Sequence, residues 1–173
     1  MLEGVRGDVD LDIFGPVDSE PYWRCCQTAF AALPPNIRVN YRGSIPNERV
    51  IEALSSYDLM ILPTLGENFG HVIYESFAAG CPVLVSDQTP WRGLAGRGNG
   101  WDLALDDPVR WRLAVQDCVD RDDASRRAAS AACLSYAREW VGSSRLLESN
   151  LALFHGALSW HTMAGSVGCG AGG

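Results

Sequence analysis

Between Pro63 and Asp87 the chain reads PTLGENFGHVIYESFAAGCPVLVSD: the end of an apolar run, a turn carrying two glycines, a helix, and a second apolar run. The residues leading in, Asp58 to Pro63 (DLMILP), form a continuous apolar stretch. Such a stretch suits a strand buried on both faces of a parallel sheet. Gly66 and Gly70 permit tight or left-handed backbone in the turn. The pattern then predicts a helix over Asn68–Ala79, ended by Gly80, and a strand over Pro82–Asp87.

Outward from this core the same alternation continues. Leu11–Gly15 (LDIFG) reads as a strand. The helix after it is capped by Asp18 or Ser19 with Pro21 in its first turn, and its buried face is Tyr22, Trp23, Cys26, Ala29, Phe30 and Leu33. Pro34–Pro35 stops that helix. Ile37–Tyr41 is the next strand, closed by Gly43, and Pro46 opens a helix to Tyr57 with Val50, Ile51 and Leu54 inward. Gly100–Leu105 is a candidate fifth strand. Helices follow from Asp107–Pro108, from Asp122–Asp123, and from Ser143–Ser144 to about Leu158. Strands and helices in this order point to an α/β fold with a doubly wound parallel sheet and a helical C-terminal segment. Ligands of such sheets sit beyond the carboxyl ends of the strands.

Composition narrows the class. The 173 residues are 47% hydrophobic and 20% charged, which excludes a disordered, collagen-like or disulfide-stapled chain. The net charge is −7 and all 14 positive side chains are arginines, an overall field that disfavours nucleic acid. There is no apolar run of membrane-spanning length and no secretory signal in the opening MLEGVRGDVDLDIFG, so the expected location is the cytoplasm or the cytoplasmic face of a membrane. Six cysteines (Cys25, Cys26, Cys81, Cys118, Cys133, Cys169) lack ligand spacing and read as buried free thiols. His71, His155 and His161 show no spacing with them, so no metal site is expected. Trp91 reads as core or rim packing, or as part of a pocket mouth. The arginines of the C-terminal helices (Arg121, Arg126, Arg127, Arg138, Arg145) read as a solvated face.

The glycine turn carries the chemistry. With a helix starting at Asn68, the amides of Asn68, Phe69, Gly70 and His71 lack acceptors inside the helix and form a seat for a phosphate or diphosphate. Glu67 and Glu75 frame that seat. On a regular helix they are roughly 12 Å apart along the axis and about 80° around it. That is longer than the roughly 5–10 Å between the paired carboxylates of a glycosidase. It suits two hydroxyl-bearing rings joined by a diphosphate, each met by a carboxylate. The competing reading is that Glu67 only complements the helix dipole and Glu75 faces solvent.

The string from Asn36 to Asp87 (NIRVNYRGSIP, YDLMILPT and GENFGHVIYESFAAGCPVLVSD), followed by TPW, resembles the donor-binding C-terminal half of the retaining GT-B glycosyltransferases, the group-1 family with the E-x7-E motif. Glu67 and Glu75 match that motif. The resemblance implies a Rossmann-like domain over residues 1–158, incomplete at its N-terminus, with a glycine-rich, disordered tail over 159–173. It implies a hexosyltransferase-type enzyme using a nucleoside-diphosphate sugar, UDP- or GDP-linked, as substrate and no cofactor. Glu67 would hold the donor sugar as the catalytic-site carboxylate, the Asn68, Phe69 and Gly70 amides the sugar and diphosphate, and Glu75 the ribose. Ser44 and Ile45 would read the base edge, while Thr64 and His71 would lie near the phosphates. Enzymes of this kind are thought to transfer the sugar on one face without an obligatory enzyme nucleophile, so no covalent residue is expected.

The same resemblance implies absences. The N-terminal acceptor domain that would bind a glycan, lipid-linked or small-molecule acceptor is not in this sequence. Nor is the opening strand of the donor half, whose turn and lysine neutralise the diphosphate; Arg6 and Arg42 are partial substitutes off the motif position. That strand would lie in the middle of the sheet, and its loss would expose ladder edges and leave a gene fragment or mis-started reading frame marginally stable alone. Two other expectations remain beside the enzyme: a non-catalytic nucleotide-sugar-binding or truncated module, and a sugar-nucleotide epimerase, whose acid/base residues are not recognisable here.

Overall fold

The computed structural model describes residues 2–142. The chain divides into a compact unit, Met1–Ala137, and a second unit, Arg138–Gly173. The expected helix from Ser143, the 158/159 boundary, the glycine-rich tail, Cys169, His155, His161 and Arg145 lie outside the described residues.

Among the described residues, five strands alternate with helices in the predicted order, with one added helix, Leu94–Arg97, that the sequence pattern does not predict: β1 (Val9–Phe14), α1 (Glu20–Ala31), β2 (Ile37–Gly43), a 3-10 turn (Asn47–Arg49) running into α2 (Val50–Leu54), and β3 (Met60–Leu62). Then come α3 (His71–Ala78), β4 (Val83–Ser86), α4 (Leu94–Arg97), β5 (Gly100–Leu103), α5 (Pro108–Asp120) and α6 (Asp123–Gly142). Every ladder is parallel, and the fold is Rossmann-like α/β. The strands form two sheets, β1–β2 and β3–β4–β5.

Local chemistry sets the helix starts. Ser19 Oγ accepts the Tyr22 amide at 3.4 Å ahead of α1, and Asp107 Oδ1 accepts the Arg110 amide at 3.0 Å ahead of α5. In both helices a proline occupies the first turn, where its missing N–H costs nothing. A Cβ at Gly100 would run into the Val83 carbonyl, so only glycine lets β5 approach β4 this closely.

One apolar cluster joins both sheets to α5. Ile37 from β2, Leu84 and Leu103 from β4 and β5, and Trp111, Ala114 and Val115 from α5 are buried together, with Leu2 and Val5 of the leading segment. β4 is buried at all four positions, as a central parallel strand should be. β3 is not. Its three residues are only half-buried, because β3 pairs with β4 alone and is a sheet edge, so the expectation of burial on both faces fails.

α1 departs from its predicted face in the same way. None of its residues is buried; Trp23, Cys26 and Phe30 are half-buried, Ala29 is exposed, and Tyr22 is 73% exposed. The three-and-four spacing located one side of the helix, but little of the core reaches it. Ile51 is likewise exposed rather than inward. Cys25 is exposed and Cys26 half-buried, against the expectation of uniformly buried thiols. Cys81 and Cys133 are buried, and burial pushes their thiols up to about 11 and about 12. Arg121 lies over the Trp101 ring, with its guanidinium carbon 4.9 Å from the centroid, rather than on a purely solvated face.

A polar network closes the outer side of β1. Asp12 accepts hydrogen bonds from Tyr57 Oη at 2.7 Å and Asn40 Nδ2 at 2.9 Å, and Arg42 Nε lies 3.0 Å from it. The Tyr57 bond, with Asn40 and Arg42, holds the Asp12 carboxyl below its ordinary value despite partial burial. Burial first, and the bond to Asp12 second, push Tyr57 up to about 12.

Candidate functional site

The loop from Pro63 to Gly70 joins β3 to α3, and it is tied to the end of β4. Ser86, fully buried, donates its hydroxyl to the Thr64 carbonyl at 2.5 Å and accepts the Gln88 amide at 3.1 Å. The Glu67 amide donates to the Gln88 carbonyl at 3.2 Å. Trp91, 2% exposed, donates its indole N–H to the Phe69 carbonyl at 2.5 Å and packs its ring 5.4 Å from Phe77. The loop is therefore braced at its start, its tip and its end by the last residue of β4 and by residues that follow it. Trp91 is core packing with a second task.

Gly70 sets where the helix begins. It is the N-cap of α3 at φ +76°, in the left-handed region. The amides of Ile73 and Tyr74 already bond the Gly70 carbonyl at 2.9 and 3.2 Å. The helix thus starts at His71, not at Asn68, because the left-handed residue turns the chain before regular helix can form. The Asn68 amide is also taken: it donates to Glu67 Oε1 at 3.1 Å. The helix-terminal amides without an acceptor in the preceding turn are those of His71 and Val72. The start of the helix lies three residues further along the chain than the sequence suggested.

The two carboxylates sit on different elements. Glu67 is exposed in the loop, and its side chain folds over the helix start; a Cβ at Gly70 would lie 3.0 Å from Glu67 Cγ. Glu75 is half-buried within α3. Since only Glu75 is helical, the helical-rise estimate of their separation does not apply.

The remaining predicted residues fall as follows. The Thr64 hydroxyl donates to the Gly66 carbonyl at 2.8 Å and accepts the Gly66 amide at 3.2 Å, so its proton is engaged in its own turn. His71 is exposed with its ring 4.8 Å from Phe69. Ser44 is exposed in the loop after β2, and Ile45 lines a cavity of about 520 Å³ that Val72 also lines, which brings that loop toward the start of α3. Arg42 pairs with Asp12, and Arg6 binds Gln116 of α5 through its backbone. The bracing of the loop by Ser86, Gln88 and Trp91 is not part of the sequence reading. The signal for them was present, since Ser86 ends a wholly apolar strand and Trp91 follows a Thr-Pro turn.

Residues 3–128 match the family model of the glycosyl transferases group 1. The chain belongs to this family. A D-inositol 3-phosphate glycosyltransferase of Nocardia farcinica is 32% identical over 133 residues, covering 69% of this chain and 28% of that protein. One of the same name from Corynebacterium diphtheriae is 26% identical over 125 residues, covering 65% of this chain and 27% of its own length. The chain thus spans about a quarter of the length of the curated relatives it matches. Among solved structures, WaaG, a glycosyltransferase involved in lipopolysaccharide biosynthesis, superposes with a TM-score of 0.57 at 21% identity, over 74% of this chain and 33% of WaaG. At that identity the likeness shows the fold, a Rossmann-like layer structure. The matched residues include the whole Thr64–Glu75 loop and helix. No helix among the described residues is long and apolar enough to cross a membrane.

Proposed function

We propose that this chain is the donor-binding half of a retaining glycosyltransferase, taking a nucleoside-diphosphate sugar at the Thr64–Glu75 loop and the start of α3. One observation carries the reading: a left-handed Gly70, placed after a Phe69 carbonyl that Trp91 holds, opens a helix whose first amides lie beside the folded-over Glu67. Helix-start amides and the positive end of the helix dipole favour a diphosphate. Glu67, exposed beside them, would accept hydrogen bonds from donor-sugar hydroxyls once it exchanges its contact with the Asn68 amide. Glu75, further along α3, would bind the ribose, and Ser44 and Ile45 would meet the base.

Retaining transfer develops positive charge at the sugar carbon and negative charge on the departing diphosphate. Fixed donors aimed at the leaving group lower that barrier most. The amides of Gly70, His71 and Val72 would supply that help, and Thr64 would act by shaping the turn rather than by donating its hydroxyl. Since two relatives are named for D-inositol 3-phosphate, that compound is the first acceptor to try with an acceptor half added.

Calorimetric titration of the 173-residue chain with UDP, GDP and their sugar conjugates tests the reading. Saturable binding at micromolar to millimolar concentration is expected. Unchanged heat and melting temperature with every conjugate at millimolar concentration would overturn it. Binding without transfer after adding a separately expressed acceptor half would favour the non-catalytic module instead.

A further inference from the structure

Most of the charge chemistry of this acidic chain is satisfied internally. Arg38, Arg42, Arg49, Arg121 and Arg126 each pair with a carboxylate. Arg6 and Arg112 do not. Among the described residues neither guanidinium has a hydrogen-bond or ion-pair partner, yet both line one cavity of about 410 Å³. Its other walls are Gly4, Leu113 and Gln116, and among the described residues no carboxylate lines it.

The frame that carries the two arginines is fixed. Leu2 and Val5 are buried in the core, and the Val5 amide donates to the Leu2 carbonyl at 3.1 Å. Gly4 stands between them in the left-handed region at φ +83°, and Arg112, half-buried, lies over it. A Cβ at Gly4 would sit 3.6 Å from Arg112 Cδ and Nη1. One turn further along α5, Gln116 clamps the Arg6 backbone from both sides. Its Oε1 accepts the Arg6 amide at 2.7 Å and its Nε2 donates to the Arg6 carbonyl at 3.2 Å. Asp120 accepts from the same Nε2 at 2.8 Å, which orients the Gln116 amide. The backbone of Arg6 is thus held while its side chain is left for a ligand.

Two like charges around one cavity repel until an anion enters. Each guanidinium presents a planar fork that matches two phosphate oxygens. A phosphate monoester carries about 1.5 to 2 negative charges at neutral pH, which two arginines neutralise. The volume falls in the range of small-ligand sites, roughly 300–1,000 Å³, and leaves room for an organic group behind the phosphate. Leu113, 57% exposed, is the apolar wall that such a group meets. The cavity lies ahead of β1, whereas the Thr64–Glu75 loop follows β3, and the two share no residue.

We propose that Arg6 and Arg112 form a second anion site, which binds the phosphate of a phosphate monoester with Leu113 against its carbon skeleton. The site is independent of the donor reading, since no part of it requires a nucleotide. A free glycerol or sugar phosphate and the head group of a phosphatidate lipid share this chemistry.

The test titrates the 173-residue chain with glycerol 3-phosphate, with inorganic phosphate, and with phosphatidylcholine vesicles that contain or lack phosphatidate. Binding is read by calorimetry or by sedimentation with the vesicles, and its place by amide chemical shifts. Glycerol 3-phosphate should bind saturably at micromolar to millimolar concentration, tighter than inorganic phosphate, and shift the amides of residues 4–6 and 112–116. Arg6→Gln keeps both backbone bonds to Gln116, and Leu113→Glu sets a carboxylate at an exposed wall. Each should weaken binding at least tenfold, as the loss of a bond to a charged group does, with the melting temperature of the free chain unchanged. Arg112→Gln should do the same, and Arg112→Lys, which keeps the charge without the fork, should fall between. Sedimentation with phosphatidate vesicles, lost in the same variants, would make the lipid head group the source; binding of the soluble ester alone would make it a free compound. No binding of any phosphate probe at millimolar concentration would overturn the proposal. So would an affinity indifferent to Arg6→Gln and Arg112→Gln, and so would shifts confined to residues 67–75, which would put the ester at the donor loop.

Discussion

Trp91 and Phe69 lie 22 positions apart, and the indole N–H of the first is bonded to the backbone carbonyl of the second at 2.5 Å. The bond runs from a buried ring under the site to the residue just before the left-handed N-cap of α3. Phe69 also edges onto the Trp91 ring at 5.7 Å and onto His71 at 4.8 Å. The start of α3 is therefore fixed from the core side.

Trp91→Phe should keep most of the packing and lose the bond. An unsatisfied carbonyl costs about 1–3 kcal/mol. The expected result is that loss in chemical denaturation, together with weaker nucleotide binding in calorimetry. Unchanged nucleotide affinity in a destabilised variant would show that the bond serves the core alone.

Gly70→Ala meets two obstacles. A φ of +76° strains any side chain, and the new Cβ would lie 2.7 Å from Ile73 Cδ1 and 3.0 Å from Glu67 Cγ. Strain of this kind costs about 1–3 kcal/mol. The expected outcome is a lower melting temperature and a displaced Glu67, read as a larger loss of affinity for the nucleotide sugar than for the free nucleoside diphosphate.

Glu67→Ala and Glu75→Ala should separate the two ends of the donor. A hydrogen bond to a charged group contributes about 1.5–3 kcal/mol, or roughly tenfold to more than a hundredfold in affinity. Glu75→Ala should weaken nucleotide and nucleotide sugar alike, and Glu67→Ala the sugar-bearing ligand only. Equal losses in both variants would count against the division of roles.

Tyr57 and Asp12 should imprint opposite limbs on the pH dependence of stability. Tyr57 is pushed up to about 12 in the fold, so its contribution is present below its unfolded value near 10 and is lost as pH rises toward 12. Asp12 is held low by Tyr57, Asn40 and Arg42, so its contribution is present above its unfolded value near 4 and is lost as pH falls through its folded value. Tyr57→Phe should cost about 1 kcal/mol at neutral pH. The gap between wild type and variant should close above pH 10 and again in acid, as denaturation series at stepped pH would show. A constant gap across pH would mean that the bond does not couple the two titrations.

Much of the fold was legible in the chain itself. β4 reads as Val-Leu-Val-Ser and is wholly buried; Ser19, Asp107 and their following prolines mark helix starts by bonds to amides within three residues. Local signals of this kind need no distant partner. The candidate site was legible as a loop and helix, but its register was not. Gly70 is at once a turn glycine and a helix cap, and only its backbone angle shows that the helix waits until His71.

The sequence by itself determined the element order, the parallel α/β class and the family, since apolar periodicity, caps and the Thr64–Glu75 string are written in neighbouring residues. Tertiary structure alone decided that β3 is an edge rather than a buried strand, that α1 shows the core only part of its apolar side, and that Trp91 holds up the loop. Each depends on which surfaces meet across many residues, and burial belongs to such meetings rather than to any one segment.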